Sequence, residues 1–194
     1  MKNPALNAAI SEHTKVLEAF FEREESAIID LATRIANGLD NGNKLLICGN
    51  GGSACDAMHI AGEFVGRFKL ERKGLPAIAL SADSGIITAV GNDYGFDQIF
   101  ARQVEALGNT DDIFITMSTS GSSPNVLAAL ETAKEYGLYT ILLTGEKGRN
   151  RAEADLTLAV DGSNTARIQE VHITLLHLLA ELAETQLAER GHAA

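Results

Sequence analysis

The chain has few cysteines and no framework that would link them. Cys48 and Cys55 form neither a CxxC motif nor a set of disulfide pairs, and Cys48 lies in an apolar run typical of a buried thiol. The N-terminus lacks the uninterrupted apolar stretch of a signal peptide, and no apolar run is long enough to cross a bilayer. These absences predict a cytoplasmic protein without a membrane partner.

Basic residues are also scarce. The 194 residues include 16 Lys and Arg against 26 Asp and Glu, which gives a formal net charge of −10. No run of five like charges occurs, so we expect no basic surface for nucleic acid. An anionic ligand would have to be held locally, by backbone N–H groups and a few side chains. The apolar content of 45% is ordinary for a globular domain with a buried core.

Five short apolar runs alternate with segments of helical periodicity. We interpret as strands the runs KLLIC (44–48), AIAL (77–80), DIFITMS (112–118), YTILLTG (139–145) and LTLAV (156–160). The helical segments are 53–67, 84–91, 96–107, 124–136 and a long closing one, 165–189. Nearly all-apolar strands that alternate with helices predict an α/β domain with a doubly wound, five-stranded parallel sheet.

Residues 1–40 are predicted to form a helical arm ahead of this domain, which spans 41–194. The polar EREES sequence (22–26) suggests a break between two helices. Apolar side chains crowd the preceding turns, at Val16, Leu17, Phe20 and Phe21. A short helix should not leave so much apolar surface in water, and contact between subunits would bury it. We therefore expect the arm to serve oligomerisation; the alternative is that it folds back on its own domain.

Two loops that follow predicted strands have the composition of phosphate sites. Gly49-Asn50-Gly51-Gly52-Ser53 follows the first strand, and 118–123, with the sequence STSGSS, follows the third. Each precedes a helix, whose N-terminal amides and dipole favour an anion, while glycine permits close backbone approach. Either loop alone is equally typical of ordinary turns and caps. Two such loops at one sheet edge predict a pocket for a phosphate or a sugar phosphate.

The familiar nucleotide motifs fit these loops less well. A Walker A motif requires Lys after its second glycine, whereas Gly52 is followed by Ser53. The dinucleotide pattern G-x-G-x-x-G is broken after Gly51, although Asp83 could imitate the acid that binds ribose. NAD binding is therefore a weak alternative.

His59 and Glu63 lie four residues apart, on one face of the helix that follows the first loop. An ordinary surface pair would contribute only a few tenths of a kcal/mol. This helix, however, directs its N-terminus at the predicted pocket, and Arg67 continues the same face. The last helix adds Gln169, His172 and His177. A histidine there is more often a core residue, but with His59 and Glu63 it could bind zinc or form an acid/base pair.

Four segments of the chain resemble the phosphoheptose isomerases, or sedoheptulose 7-phosphate isomerases, of the sugar isomerase (SIS) superfamily. They are CGNGGSACDAMHIAGEFVGRF, AVGNDYGFDQIF, STSGSSPNV and ARIQEVHITLLH, and the resemblance covers residues 40–185. It implies the SIS fold and a cytoplasmic homotetramer. It also implies enediol proton transfer that converts sedoheptulose 7-phosphate to D-glycero-D-manno-heptose 7-phosphate, the first step of activated heptose biosynthesis.

The resemblance also implies roles for individual residues. Glu63 and His177 would be the catalytic acid/base pair. One zinc ion per subunit would be held by His59, Glu63, Gln169 and His177. The substrate would contact Asn50, Gly51, Gly52, Ser53, Glu63, Arg67, Asn92, Asp93, Ser118, Thr119, Ser120, Ser123 and Gln169.

Two positions depart from the family pattern. Ser122 stands where relatives often have Asn, and its contribution is expected to come from the backbone. Ala166 stands where some relatives have an acid, so a substrate contact by that acid is not expected here.

A different class of function shares these loops. A non-catalytic SIS regulator, resembling the initiator-associating protein that binds the replication initiator DnaA, would have the same fold and tetramer. That relative lacks a carboxylate at the position of Glu63, which this chain keeps. A SIS sensor of a transcription regulator would carry a DNA-binding module, for which the acidic chain has no room. We therefore favour the isomerase.

The spacing of two residues on the last helix predicts a shared site. Gln169 and His177 are separated by about 12 Å along a helix axis and by about 80° around it. One small site would have difficulty collecting both from a single straight helix. We therefore expect neighbouring subunits to share the active site.

Overall fold

A computed structural model describes residues 3–162 and 164–192. Its helices are α1 (Pro4–Asp40), α2 (Gly52–Val65), α3 (Ser84–Tyr94), α4 (Ala101–Leu107), α5 (Pro124–Glu135) and α6 (Thr165–Leu187). Its strands are β1 (Leu45–Gly49), β2 (Ala77–Ala79), β3 (Ile113–Ser118), β4 (Tyr139–Gly145) and β5 (Leu156–Val160). Short 3₁₀ turns at Phe96–Gln98 and Glu146–Gly148, and a π turn at Ala188–His192, complete the described elements. None of the helices in these ranges has the length and apolar character that a bilayer crossing requires.

The five strands form one parallel sheet in the order β2-β1-β3-β4-β5. The predicted fold class is thus confirmed, and each strand lies within two residues of its predicted bounds. Leu45 pairs with Ala77 on one side and with Ile113 on the other, so β1 is flanked by β2 and β3. The strand order reverses at this point, which is where doubly wound sheets bind their ligands.

Two hydrophobic cores lie on opposite faces of the sheet. Because successive strand residues point to opposite faces, Leu45 and Ile47 pack with α1, α2 and α6, while Leu46 and Cys48 pack with α4 and α5. Burial raises the pKa of the Cys48 thiol well above its usual range. Cys48 is therefore a core residue, as its apolar surroundings in the sequence indicate.

α1 is one continuous helix of 37 residues, so the predicted break at EREES is wrong. Glu and Arg are good helix formers, and a polar stretch without Gly or Pro does not end a helix. The side chain of Asn3 caps its first turn by accepting from the N–H groups of Ala5 and Leu6, and Pro4 follows the cap. Gly42, with φ of 86°, lies just beyond the C-terminal end.

The apolar residues in the first half of α1 pack against the chain's own core. Phe20 is buried, and Val16, Leu17 and Phe21 are partly buried beside it. The large apolar side chains that α1 leaves exposed are Leu6, Ile10 and Ile29. The apolar surface that was expected to contact another subunit is therefore covered by the chain's own domain. The exposed residues of α1 remain available for a contact between subunits.

Candidate active site

The loop after β1 brings the N-terminus of α2 close to α6. Gly51, with φ of 57°, precedes α2, and the following Ser53 is buried. A Cβ atom at Gly52 would lie only 2.7 Å from Nε2 of Gln169. The Gln169 side chain therefore packs directly on this turn, so predicted residues from the first loop and the last helix do meet here.

The loop after β3 gathers serine hydroxyl groups at the N-terminus of α5. The Oγ atoms of Ser118 and Ser123 lie 2.9 Å apart, and Ser120 Oγ accepts from both the N–H and the hydroxyl of Ser122. Gly121, with φ of 64°, packs so closely on Gly148 that a side chain there would clash with backbone. The loop thus presents hydroxyl groups and N-terminal helix amides, the donors that an anion requires.

Asn125 joins the two loops, and the sequence analysis did not identify it. Its amide donates to Asn50 Oδ1 at 2.9 Å, and the Asn50 amide donates back to Asn125 Oδ1 at 2.8 Å. Asn125 is buried at the start of α5. The available signal was a polar, weakly helix-forming residue directly after Pro124 in the STSGSSPNV segment.

His59, Glu63 and His177 form one cluster, in which their ligand atoms all lie within 4.8 Å of one another. His59 Nε2 lies 3.2 Å from Glu63 Oε1 and 3.4 Å from His177 Nε2. The ring of Phe68 stacks on that of His177, with centroids 5.7 Å apart. Three of the four predicted metal ligands, including both predicted catalytic residues, therefore meet within one chain.

The cluster could hold a metal ion, and two of its separations suit zinc. Ligands about 2.0–2.1 Å from a tetrahedral zinc ion lie about 3.3 Å from one another. The two separations that involve His59 Nε2 match that spacing, and two imidazoles with one carboxylate are a donor set that zinc prefers.

Gln169 does not join the cluster in the same chain. It lies against Gly52, whereas His177 lies beside His59, so α2 and α6 run side by side in the same direction. Gly52 and His59 are separated by about 10 Å along the helix. The predicted fourth ligand is thus about two helical turns from the other three.

Asp56 is a further carboxyl group near the cluster that the sequence analysis missed. It lies one turn before His59 on α2. Burial raises the pKa of Asp56, an effect that His59 and His177 partly offset by lowering it. Its i, i+3 spacing from His59 in the CDAMH segment was the signal that could have identified it.

The remaining predicted residues lie apart from the loops in the single chain. Arg67 forms an ion pair with Glu71 at 3.4 Å, just beyond the end of α2. The Asn92 amide donates to Asp93 at 2.7 Å, and both residues are exposed near the end of α3. Across 3–162 and 164–192, no hydrogen bond or ion pair joins Arg67, Asn92 or Asp93 to the two loops.

His172 is a core histidine rather than a member of the cluster. It is fully buried, and its Nε2 lies 3.3 Å from the carbonyl oxygen of Thr144. Burial lowers the pKa of His172 to about 4, against a smaller opposing effect of that hydrogen bond. The imidazole is therefore neutral at physiological pH. Of His59, His172 and His177, only His59 and His177 belong to the cluster.

A cavity of about 880 Å³ lies at the opposite edge of the sheet, between α1 and the amino-terminal ends of the strands. Its lining includes Asn37, Asn43, Asp111 and Tyr139. None of the predicted site residues takes part in it. The two loops at the carboxyl edge and the cluster of His59, Glu63 and His177 therefore lie outside this cavity.

Comparisons with known proteins agree with the fold. The model of the SIS domain family matches residues 10–145, so fold and loops together define a SIS-domain protein. The phosphoheptose isomerase of Nitratidesulfovibrio vulgaris is 52% identical over 179 residues, which cover 92% of this chain and 86% of that protein. The phosphoheptose isomerase of Thermodesulfovibrio yellowstonii is 52% identical over 185 residues, covering 95% of this chain and 92% of that protein.

A solved structure gives the same result in three dimensions. The phosphoheptose isomerase from Francisella tularensis superposes with a TM-score of 0.88 at 40% identity, covering 93% of this chain and 97% of that one. The chain belongs to the phosphoheptose isomerases within the SIS-domain family.

Proposed function

We propose that the chain converts sedoheptulose 7-phosphate to D-glycero-D-manno-heptose 7-phosphate, the first step of activated heptose biosynthesis. The observation that carries the proposal is the cluster of Glu63, His59 and His177, in a chain whose loop after β3 offers the hydroxyl groups that a phosphate requires. Glu63 also separates this function from the non-catalytic regulator, which has no carboxylate there.

The chemistry requires a proton to move between two neighbouring carbon atoms. In the ketose, Glu63 takes a proton from C1, which leaves an enediol across C1 and C2, and then returns the proton to C2. A second proton passes from the C1 hydroxyl to the C2 oxygen, and His177 would carry it. One oxygen of Glu63 faces His59, which leaves the other carboxylate oxygen for the carbon-bound proton.

Zinc is the cofactor that we propose for His59, Glu63 and His177. When bound, it would polarise the carbonyl group and stabilise negative charge on the enediolate. The support is the ligand spacing and the donor set of the cluster. Gln169 would supply the fourth protein ligand from a neighbouring subunit, since its own chain holds it about two turns away.

The phosphate of the substrate is assigned to the loop after β3. Ser118, Ser120 and Ser123, with the backbone of Thr119 and the first amides of α5, offer uncharged donors. The sugar would then extend past Asn50, Gly51, Gly52 and Ser53 toward Glu63. Because Asn125 holds Asn50 directly against α5, the two loops can bind one ligand as a unit.

We further propose a cytoplasmic homotetramer with shared sites, in which the helical arm contributes to assembly. None of the residues of α3 is buried in the single chain, and Tyr94 and Phe96 are 60% and 59% exposed. A helix with this much open apolar surface needs a covering partner. If a neighbouring subunit covers it, Asn92 and Asp93 would reach that neighbour's sugar site.

The proposed function is tested by incubating the zinc-loaded protein with sedoheptulose 7-phosphate and following the products by ¹H and ³¹P NMR. We expect resonances of the aldose phosphate to appear at the expense of the ketose. Folded, zinc-loaded protein that yields no aldose would contradict the proposal. Light scattering after size exclusion tests the tetramer independently of turnover.

A further inference from the structure

A buried ion pair lies directly behind the cluster, and the proposed chemistry does not use it. Arg72 Nε contacts Glu184 Oε1 at 2.8 Å, and the two side chains are only 3% and 2% exposed. Replacing such a pair by apolar residues is often neutral or stabilising, so stability alone is a weak reason for keeping it. The segments that the ion pair holds in place give a better reason for keeping it.

Glu184 holds the segment that carries Phe68. Its carboxylate accepts from three consecutive backbone N–H groups, those of Phe68, Lys69 and Leu70, at 2.8–3.0 Å. Although burial by itself raises the pKa of Glu184, these bonds and Arg72 lower it overall, so the carboxylate stays charged. The successive amides form a concave anion site filled by the chain's own carboxylate.

The segment that Glu184 holds contacts His177 through Phe68. The Phe68 ring stacks on the His177 ring, with centroids 5.7 Å apart and an interplanar angle of 26°. His177 and Glu184 are seven residues apart on α6, which places them on the same helix face about 10 Å apart. Glu184 therefore anchors the backbone of Phe68 to the same helix that carries His177.

Arg72 holds the other half of the cluster. Its Nη2 donates to the carbonyl oxygen of Glu63 at 2.9 Å, and its Nη1 donates to that of Phe64 at 2.9 Å. α2 ends at Val65, so carbonyl groups of its last turn lack helical partners. Arg72 donates to both of these carbonyl groups, and the N–H of Leu75 is a second donor to that of Phe64, so Arg72 ties the backbone of Glu63 to the segment that follows α2.

We propose that Arg72 and Glu184 are positioning residues that set the distance between Glu63 and His177. One ion pair connects the end of α2, which carries Glu63, to the ring that packs against His177. A shift of either residue would alter the spacing of the cluster and the reach of the catalytic carboxylate. The expected effect of the pair on turnover rests on the proposed function. Its expected effect on metal binding rests only on the geometry of the cluster.

The test compares Glu184→Gln with a matched control, Asp112→Asn. Asp112 is also a buried carboxylate that accepts from backbone N–H groups, those of Lys44 and Asn109, and from the Lys44 ammonium group. It precedes β3 at the opposite edge of the sheet. Each variant is measured for Tm, for Co²⁺ affinity by visible absorption, and for kcat and KM well below its Tm.

Both variants should lose stability, but only Glu184→Gln should lose function. We expect its Co²⁺ affinity and its kcat to fall by about 10- to 100-fold, as for other residues that orient metal ligands. KM should change little, because the phosphate loop is untouched. If Glu184→Gln does not fold, Arg72→Lys serves instead, since it keeps the charge but cannot reach both carbonyl groups.

Two results would overturn the positioning role. One is a folded Glu184→Gln or Arg72→Lys protein with the Co²⁺ affinity and kcat of the wild type. The other is a control that loses both properties to the same extent, since the loss would then follow stability alone. A wild type that binds Co²⁺ but does not isomerise the sugar would contradict only the proposed function, because the Co²⁺ comparison would still decide the positioning role.

Discussion

Asn50 and Asn125 exchange two amide hydrogen bonds, of 2.8 and 2.9 Å, and so join the loop after β1 to the start of α5. The pair lies where the strand order reverses, between the two loops assigned to the sugar and the phosphate. It couples the two halves of the pocket before any ligand binds. Pre-organisation of this kind lowers the cost of ordering the loops on binding.

Asn125→Ala should therefore weaken both the fold and substrate binding. The buried Asn50 amide would lose its partner, which costs about 1–3 kcal/mol of the free energy of unfolding. KM for sedoheptulose 7-phosphate should rise as the loops separate. Urea denaturation and steady-state kinetics measure the two effects, with Asn37→Ala, an exposed asparagine on α1, as the control. An Asn125→Ala protein indistinguishable from that control would remove the pair from the pocket.

Glu63→Gln should abolish isomerisation while the protein keeps its fold and its affinity for phosphate. An amide cannot accept the proton from C1, so kcat should fall by about 10²–10⁴-fold with little change in KM. Glu71→Gln, on an exposed side chain just past α2, provides the comparison. Near-normal turnover by Glu63→Gln would mean that another group takes the proton.

His172 should make the protein less stable as the pH falls. Its pKa in the fold is about 4, below the ordinary value of 6.5, so the unfolded chain takes up a proton that the folded chain resists. The contribution to stability is intact above pH 6.5 and is lost between pH 6.5 and 4, amounting to about 2 kcal/mol at pH 5.

The measurement is the free energy of unfolding at pH 7 and pH 5 for the wild type and for His172→Gln, which does not titrate. The loss between the two pH values should be smaller in the variant by about 2 kcal/mol. Equal losses in both proteins would show that His172 does not carry this dependence.

Subunit mixing should reveal which residues of the site come from different chains. Glu63→Gln and Gln169→Ala proteins are each expected to be inactive. In mixed tetramers, a Gln169→Ala chain keeps Glu63 and His177 and can receive Gln169 from a Glu63→Gln neighbour. Random mixing in equal amounts should restore about a quarter of the sites.

The control mixture combines Glu63→Gln with His177→Ala. Because these two residues meet within one chain, no hybrid site can hold both intact, and activity should stay absent. The proposed sharing is that Gln169 comes from a different chain than Glu63 and His177. Activity in the control mixture would exclude it. Verified hybrids of the first mixture that remain inactive would exclude it as well.

The local features of this protein were predictable from the sequence. Short apolar runs such as DIFITMS predicted the strands, and the Gly- and Ser-rich loops after two of them predicted the ligand edge, because the carboxyl ends of parallel strands share one edge. The i, i+4 spacing of His59 and Glu63 placed them on one helix face. The break expected at EREES was wrong because polarity alone does not interrupt a helix of good helix formers.

Contacts between distant residues were decided by the tertiary structure. Asn50 and Asn125 are 75 residues apart, and Arg72 and Glu184 are 112 apart. The side-by-side packing of α2 and α6 places His177 at His59 and Gln169 at Gly52. An amphipathic pattern shows which face of each helix is buried. It does not determine the register between two helices, because either helix could slide by one turn and keep the same pattern. The register depends on how the side chains of the two helices fit together.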